Sequence, residues 1–264
     1  MNDFTQTQLD AHMSLLRERV FQVDNKWPHF RQLLDAIALI STSLEKGETV
    51  VSLERGLLYG GYSLVAPFFY KQNFISVDCS PKSANERGSY NKELVEDERF
   101  LKVESSKRCQ IDELDLDSNI GDYILVPNLV HHVSDQDRLF QEIARLTKPG
   151  GKVFIFEPLI RELHQMPNDY LRYTPFGMNN LLEKVGLSPD NYELEGGPFS
   201  VIAYCWEQAL QYFPDNKRTE MEDWFFNRHF KELLKWDKLY TENQVRKHTK
   251  FPMSFCIYAH KPIS

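Results

Sequence analysis

A chain of 264 residues with 42% hydrophobic and 26% charged side chains can bury the core of one large α/β domain and is too short for two side by side. Its net charge of −7, from 38 acidic and 31 basic residues, opposes a polyanionic partner, so no nucleic acid is expected. No run approaches the roughly 20 apolar residues of a membrane helix, and the polar start lacks a signal-peptide pattern, so a cytoplasmic protein with no membrane partner is expected.

In chain order, residues 8–46 carry two helical patterns. Leu9, Met13, Leu16 and Val20 share one face of the first, and Phe30, Leu33, Leu34, Ile37 and Ile40 share one face of the second. An N-terminal helical layer over residues 1–47 follows. Thr49–Glu54 and Asn73–Asp78 are β-rich runs that each end in an acid, with enough chain between them for a crossover helix. The next apolar run, residues 122–127, leads to a helix with Ser134 as its cap and Leu139, Phe140, Ile143 and Leu146 on its buried face.

Residues 148–151, Lys-Pro-Gly-Gly, stop that helix before a buried strand at 152–157. A helix from Pro175 to Val185 follows, capped by Thr174 and ended by Gly186. Alternating strands and helices give a parallel sheet. Tyr192–Phe199 and Phe251–His260 read as strands around a helical, aromatic insertion at 201–248 that contains Trp206, Trp224 and Trp236. The whole is expected as one domain with that insertion as a cover. Cys79, Cys109, Cys205 and Cys256 lack CxxC spacing, so they read as buried thiols rather than as zinc ligands or disulfides.

An open parallel sheet binds ligands beyond the carboxyl ends of its strands. Glu54 ends the first strand and is followed by Gly56 and Gly60; glycine permits a sharp turn close to a ligand, and an acid there can hold a cationic amino group. Asp78, ending the second strand, can accept hydrogen bonds from both hydroxyls of a ribose. It can also cap a helix starting near Ser80 and Pro81.

These residues precede Tyr123-Ile-Leu-Val-Pro-Asn-Leu-Val-His-His-Val-Ser-Asp and Arg145-Leu-Thr-Lys-Pro-Gly-Gly-Lys-Val-Phe-Ile-Phe-Glu-Pro. Together they resemble the class I S-adenosylmethionine-dependent methyltransferases over residues 48–187. The segment from Arg161 to Thr174 is similar to one found in many small-molecule members. The resemblance implies a Rossmann-like sheet of seven strands, mostly parallel, flanked by helices, with the last strand antiparallel. It implies S-adenosyl-L-methionine as cofactor and S-adenosyl-L-homocysteine as product. Glu54 then lies near the methionine portion, Gly56 and Gly60 form the turn, and Asp78 holds the ribose. Asp112 or its neighbour Glu113 lies near the adenine amino group, and Asn128 opens the loop beside the reactive end. Leu58 stands where the pattern has its middle glycine. Either the loop takes another path, or cofactor affinity is reduced, or the fold has lost its activity.

Methyl transfer often needs a base to take a proton from the acceptor. His131, His132 and His164 follow two of the strands and are the candidates, although adjacent histidines are not expected to point the same way. Tyr170 and Arg172 are candidates for binding a polar or anionic substrate. No HxxxH or HExxH spacing is present, so no metal is expected. The expected function is methylation of a small molecule, with oxygen the favoured acceptor atom; the alternative is a catalytically silent binding or scaffold protein of the same fold. Substrate choice is assigned to the insertion together with residues 161–173. Oligomeric state is not read from the sequence.

Overall fold

The structure is a computed structural model and describes residues 3–23, 27, 29–55, 61–79, 92–164, 166–243 and 251–263. Helix α1, Gln6–Leu15, opens with reciprocal bonds: the Thr5 hydroxyl accepts from the Gln8 N–H at 3.3 Å, and the Gln8 side chain accepts from the Thr5 N–H at 2.9 Å. A π-helical turn, Leu16–Val20, continues it, and α2 spans Phe30–Ser43. The apolar faces read from the sequence are buried, apart from Met13, which is only partly covered.

Seven strands form one sheet: β1 Thr49–Glu54, β2 Asn73–Asp78, β3 Lys107–Arg108, β4 Gly121–Pro127, β5 Thr147–Pro158, β6 Ser188–Glu195 and β7 Ser254–His260. Their spatial order is β3-β2-β1-β4-β5-β7-β6. β7 runs antiparallel to both of its neighbours, and the other pairs are parallel. Alternate residues divide between two cores. Val50, Leu125, Phe154 and Phe156 meet the N-terminal helices on one face. Val51, Leu53, Ile124, Val126, Val153 and Ile155 meet the helices on the other. Cover on both faces is why the central strands read as continuous apolar runs.

The short helix α3 is Lys92–Val95, α4 is Gln136–Leu146 and α5 is Pro175–Lys184. As expected, Thr174 caps α5, its side chain accepting from the Gly177 N–H at 3.2 Å. Four readings need correction. The cap of α4 is Asp135, whose carboxylate accepts from the Arg138 N–H at 2.9 Å; the helix starts one residue later than a Ser134 cap requires. Between β1 and β2 the described chain holds only a 3-10 turn, Ala66–Phe69, where a full crossover helix was expected. β6 ends at Glu195, since Gly196 turns the chain at φ +80° and Pro198 opens the next helix. Of the four cysteines, Cys79 and Cys256 are buried, but Cys205 is exposed and Cys109 is half-buried.

The cover comprises α6 Pro198–Leu210, α7 Asp215–Glu222, a π-helical turn Asp223–Asn227 and α8 Phe230–Asn243. It begins before residue 201 and has its own small core of Ala203, Phe225 and Phe230, with Trp206 against them. The Asp237 carboxylate on α8 accepts from the Phe199 and Ser200 N–H groups at 2.9 and 2.6 Å. These are unpaired donors in the first turn of α6, where a negative charge is favoured. Among the described residues, no helix is long and apolar enough to cross a membrane.

Candidate active site at the carboxyl ends of the strands

Parallel pairing sets Glu54 and Asp78 in register at the ends of β1 and β2, so two carboxylates meet at one edge of the sheet. Both are almost fully buried. The Ser63 hydroxyl donates to the two oxygens of Glu54 at 2.8 and 3.0 Å and accepts from the Ala66 N–H at 3.1 Å. Burial nevertheless pushes the Glu54 carboxyl up to about 7, with the Asp78 charge adding to the rise and the Ser63 bond opposing it. Asp78 has the Arg108 guanidinium 3.7 Å away, at the end of β3.

Glu54 lines a cleft with about 710 Å³ of empty space, counting the part open to solvent. Arg55, Pro127, Asn128 and His132 continue its polar wall, while Leu16, Phe21, Phe30, Leu33 and Leu34 form an apolar wall from the N-terminal helices. Asn128 directly follows β4 and adopts φ +61°, a left-handed conformation that asparagine tolerates better than most residues. Its N–H donates to the Phe156 carbonyl at 2.9 Å, which holds the turn. Its Oδ1 is buried with no hydrogen-bond partner. A buried acceptor left open costs about 1–3 kcal/mol, a cost that a donor on a bound molecule would remove.

Behind this wall, the three candidate histidines come together. One ring nitrogen of each lies within 4.8 Å of the others. His131 and His132 sit on a 3-10 turn, Val130–His132, with ring centroids 3.9 Å apart; the expectation that neighbours must diverge fails, because the rings tilt toward each other across the tight turn. His131 Nδ1 is 2.5 Å from Glu157 Oε2, and Glu157 Oε1 accepts from the Val130 N–H at 2.7 Å. His132 Nδ1 is 2.6 Å from the Asn168 carbonyl oxygen. His164 Nδ1 is 3.1 Å from the Glu162 carbonyl oxygen and 3.2 Å from Asp169 Oδ2. Burial first, then neighbouring charge, pulls His164 down to about 4 and His132 far below the usual histidine range. Neutral rings held this way accept protons poorly, which weakens a simple general-base role.

The remaining sequence candidates lie elsewhere. Arg172 grips Asp169 at 2.5 and 2.9 Å and the carbonyls of Glu162 and Leu171, so it ties down the loop at 161–173. Tyr170 donates its hydroxyl to Asn168 Oδ1 at 3.0 Å. Among the described residues, neither of these lines the cleft, and nor does any residue of α6–α8. Asp112 and Glu113 are exposed on a 3-10 turn, Ile111–Glu113, which follows β3 at the same sheet edge as Asp78. Gly56, Leu58 and Gly60 lie outside the described residues. Sequence reading missed Ser63 and Glu157. The signal for Glu157 was available: β5 carries an acid one residue before its end, close to where β1 and β2 end in theirs.

Residues 53–155 match a family model described as a methyltransferase domain. No curated protein sequence matches the chain. Among solved structures, a candidate sarcosine dimethylglycine methyltransferase from Galdieria sulphuraria superposes with a TM-score of 0.50 at 16% identity, covering 88% of this chain and 85% of that one. A candidate methyltransferase from Bacillus halodurans gives 0.50 at 12% identity, over 86% and 98%. The [4+2]-cyclase SpnF gives 0.53 at 14% identity, over 98% and 96%. At these identities the likeness is one of fold.

Proposed function

We propose, from the match of residues 53–155 to a family model described as a methyltransferase domain, that the chain is an S-adenosylmethionine-dependent methyltransferase and methylates a small molecule in the cleft beside Glu54 and Asn128. The observation that carries this reading is the buried polar edge itself. A carboxylate raised to about 7 and an unpartnered amide oxygen border one cleft, and both call for a cationic donor such as an amino group.

The cofactor supplies a sulfonium methyl group as electrophile. Glu54 and Asn128 would hold its amino-acid end, Asp78 its ribose hydroxyls, and Asp112 or Glu113 its adenine amino group. Ser63 keeps the Glu54 carboxylate oriented. Leu16, Phe21, Phe30, Leu33 and Leu34 offer an apolar surface that excludes water and suits an acceptor with an apolar body. An oxygen acceptor fits the polar rim at His132. The cover of α6–α8 then packs on its own core, and acceptor choice moves from there to the N-terminal helices.

Isothermal calorimetry with S-adenosylmethionine and S-adenosylhomocysteine, followed by a screen of small-molecule acceptors with mass detection of methylated product, tests the reading. Saturable binding of both cofactor forms and a methylated product are expected. Absence of binding at millimolar concentration would leave a silent protein of the same fold.

A further inference from the structure

We propose that His131, His132 and His164 form a site for one divalent transition-metal ion, with Zn²⁺ as the expected occupant. Tautomer chemistry carries the argument. A carbonyl oxygen accepts only, so the ring nitrogens facing Asn168 O and Glu162 O, the Nδ1 atoms of His132 and His164, must carry the proton. Glu157 already accepts from the Val130 N–H, and its second oxygen faces His131 Nδ1 at 2.5 Å, so that nitrogen is protonated too. Each neutral ring is thereby left with its lone pair on Nε2.

Two of those lone pairs oppose each other, with His131 Nε2 and His164 Nε2 3.4 Å apart. With no cation between them, two acceptors meet and repel. Two nitrogens bound at about 2.05 Å to a tetrahedral ion stand about 3.3 Å apart, so this spacing is that of two ligands on one zinc. The third ring offers a nitrogen within 4.8 Å of the other two ligand atoms. Metal-bound histidines almost always donate the other ring N–H to a carboxylate or carbonyl, and all three do so here. Three imidazoles with no ligating carboxylate suit Zn²⁺ and its neighbours rather than Mg²⁺ or Ca²⁺.

The positioning groups come from distant parts of the chain. Glu157 is the penultimate residue of β5, Asn168 and Asp169 belong to the loop at 161–173, and the Tyr170 N–H donates to the His131 carbonyl at 2.9 Å. That is why motif spacing gave no sign of a metal. His132 also lines the cleft, so an ion held here sits at the wall of the substrate site and would favour an acceptor bearing an anionic or readily ionised oxygen.

The test uses the intact chain, stripped with a chelator and dialysed, then titrated with Zn²⁺ and with Co²⁺ as a spectroscopic probe. Saturable binding of a single equivalent is expected, with visible Co²⁺ bands that Zn²⁺ displaces and a Zn²⁺-dependent rise in Tm. His131→Ala and His164→Ala should abolish the Co²⁺ spectrum. Glu157→Gln should weaken affinity about 10- to 100-fold, and His260→Ala, at a surface histidine paired with Asp190, should change nothing. Circular dichroism of each metal-free variant checks folding; should His131→Ala fail to fold, His164→Asn in the loop carries the test. The inference is overturned if the wild type shows no saturable binding at micromolar Zn²⁺, or if the folded His164 variants bind as the wild type does. Zinc binding without S-adenosylmethionine binding would remove the methyl-transfer reading and leave this one standing; the reverse result would remove this one alone.

Discussion

Glu54 and Asp78 are register partners at the ends of adjacent parallel strands, each almost fully withdrawn from water. Burial, with the Asp78 charge beside it, disfavours ionisation of Glu54, whose carboxyl is raised to about 7. A ligand that brings an ammonium group to one and hydroxyl donors to the other relieves that tension.

Affinity for S-adenosylhomocysteine should therefore depend on pH through Glu54. The ionised carboxylate binds an ammonium group, and the free protein is increasingly protonated below about pH 7, so the dissociation constant should rise about tenfold between about pH 8 and pH 6. Glu54→Gln should bind weakly and without this dependence. Calorimetry across that range decides it; a flat wild-type profile would separate Glu54 from the amino group.

The same shift has a cost in stability. A carboxyl whose folded value lies above its ordinary 4.5 contributes stability that is complete below 4.5 and is lost as pH rises through about 7. Without ligand, Glu54→Gln should be more stable than the wild type at about pH 8, by on the order of 3 kcal/mol, and equal to it near pH 4. Urea unfolding at the two pH values measures this, and parallel stabilities at both would contradict it.

If Asp78 holds the ribose as proposed, Asp78→Ala removes an acceptor for two hydroxyl donors, each bond to a charged group being worth about 1.5–3 kcal/mol. Cofactor affinity should fall at least about tenfold, read by calorimetry. A loss below twofold would move the ribose away from β2.

At Asn128 the left-handed backbone suits glycine, so Asn128→Gly should leave thermal stability within about 1 kcal/mol of the wild type. It also deletes the unpartnered oxygen, and cofactor affinity should drop. Unchanged affinity would show that the oxygen meets no ligand.

Acceptor choice should follow the N-terminal helices. Phe21→Leu trims the cleft wall and should change KM for the acceptor, whereas Trp224→Ala, on the cover and away from the cleft, should not. Steady-state kinetics on the acceptor found by screening compares them, and the opposite pattern would return substrate choice to the cover.

The sheet was legible where side chains carry its physics. β1, β2, β4 and β5 announce themselves as apolar runs because both faces are covered, α4 through its periodicity and α5 through its cap and periodicity. β3 was not legible: Lys107 and Arg108 form a two-residue strand with no apolar signal. Of the site, Glu54 and Asp78 could be read because they end strands and Asn128 because it directly follows one. The convergence of His131, His132 and His164 could not, since it depends on a loop folding back onto the turn after β4. The apolar wall was hidden for a related reason: a residue such as Phe30 or Leu33 reads as core, and nothing local reveals that part of the core borders a cleft.

The position of β7 bears on how the protein is made. It lies between β5 and β6 in space but follows β6 and the whole cover in sequence. As the chain leaves the ribosome, β6 must wait beside an unfilled gap while α6–α8 are synthesised, and β5 presents an open, apolar edge during that interval. Strands waiting in this way invite pairing with other chains. A cover that closes on itself through Asp237 and its own aromatic core can fold before β7 arrives, shortening the path by which the last strand reaches its slot.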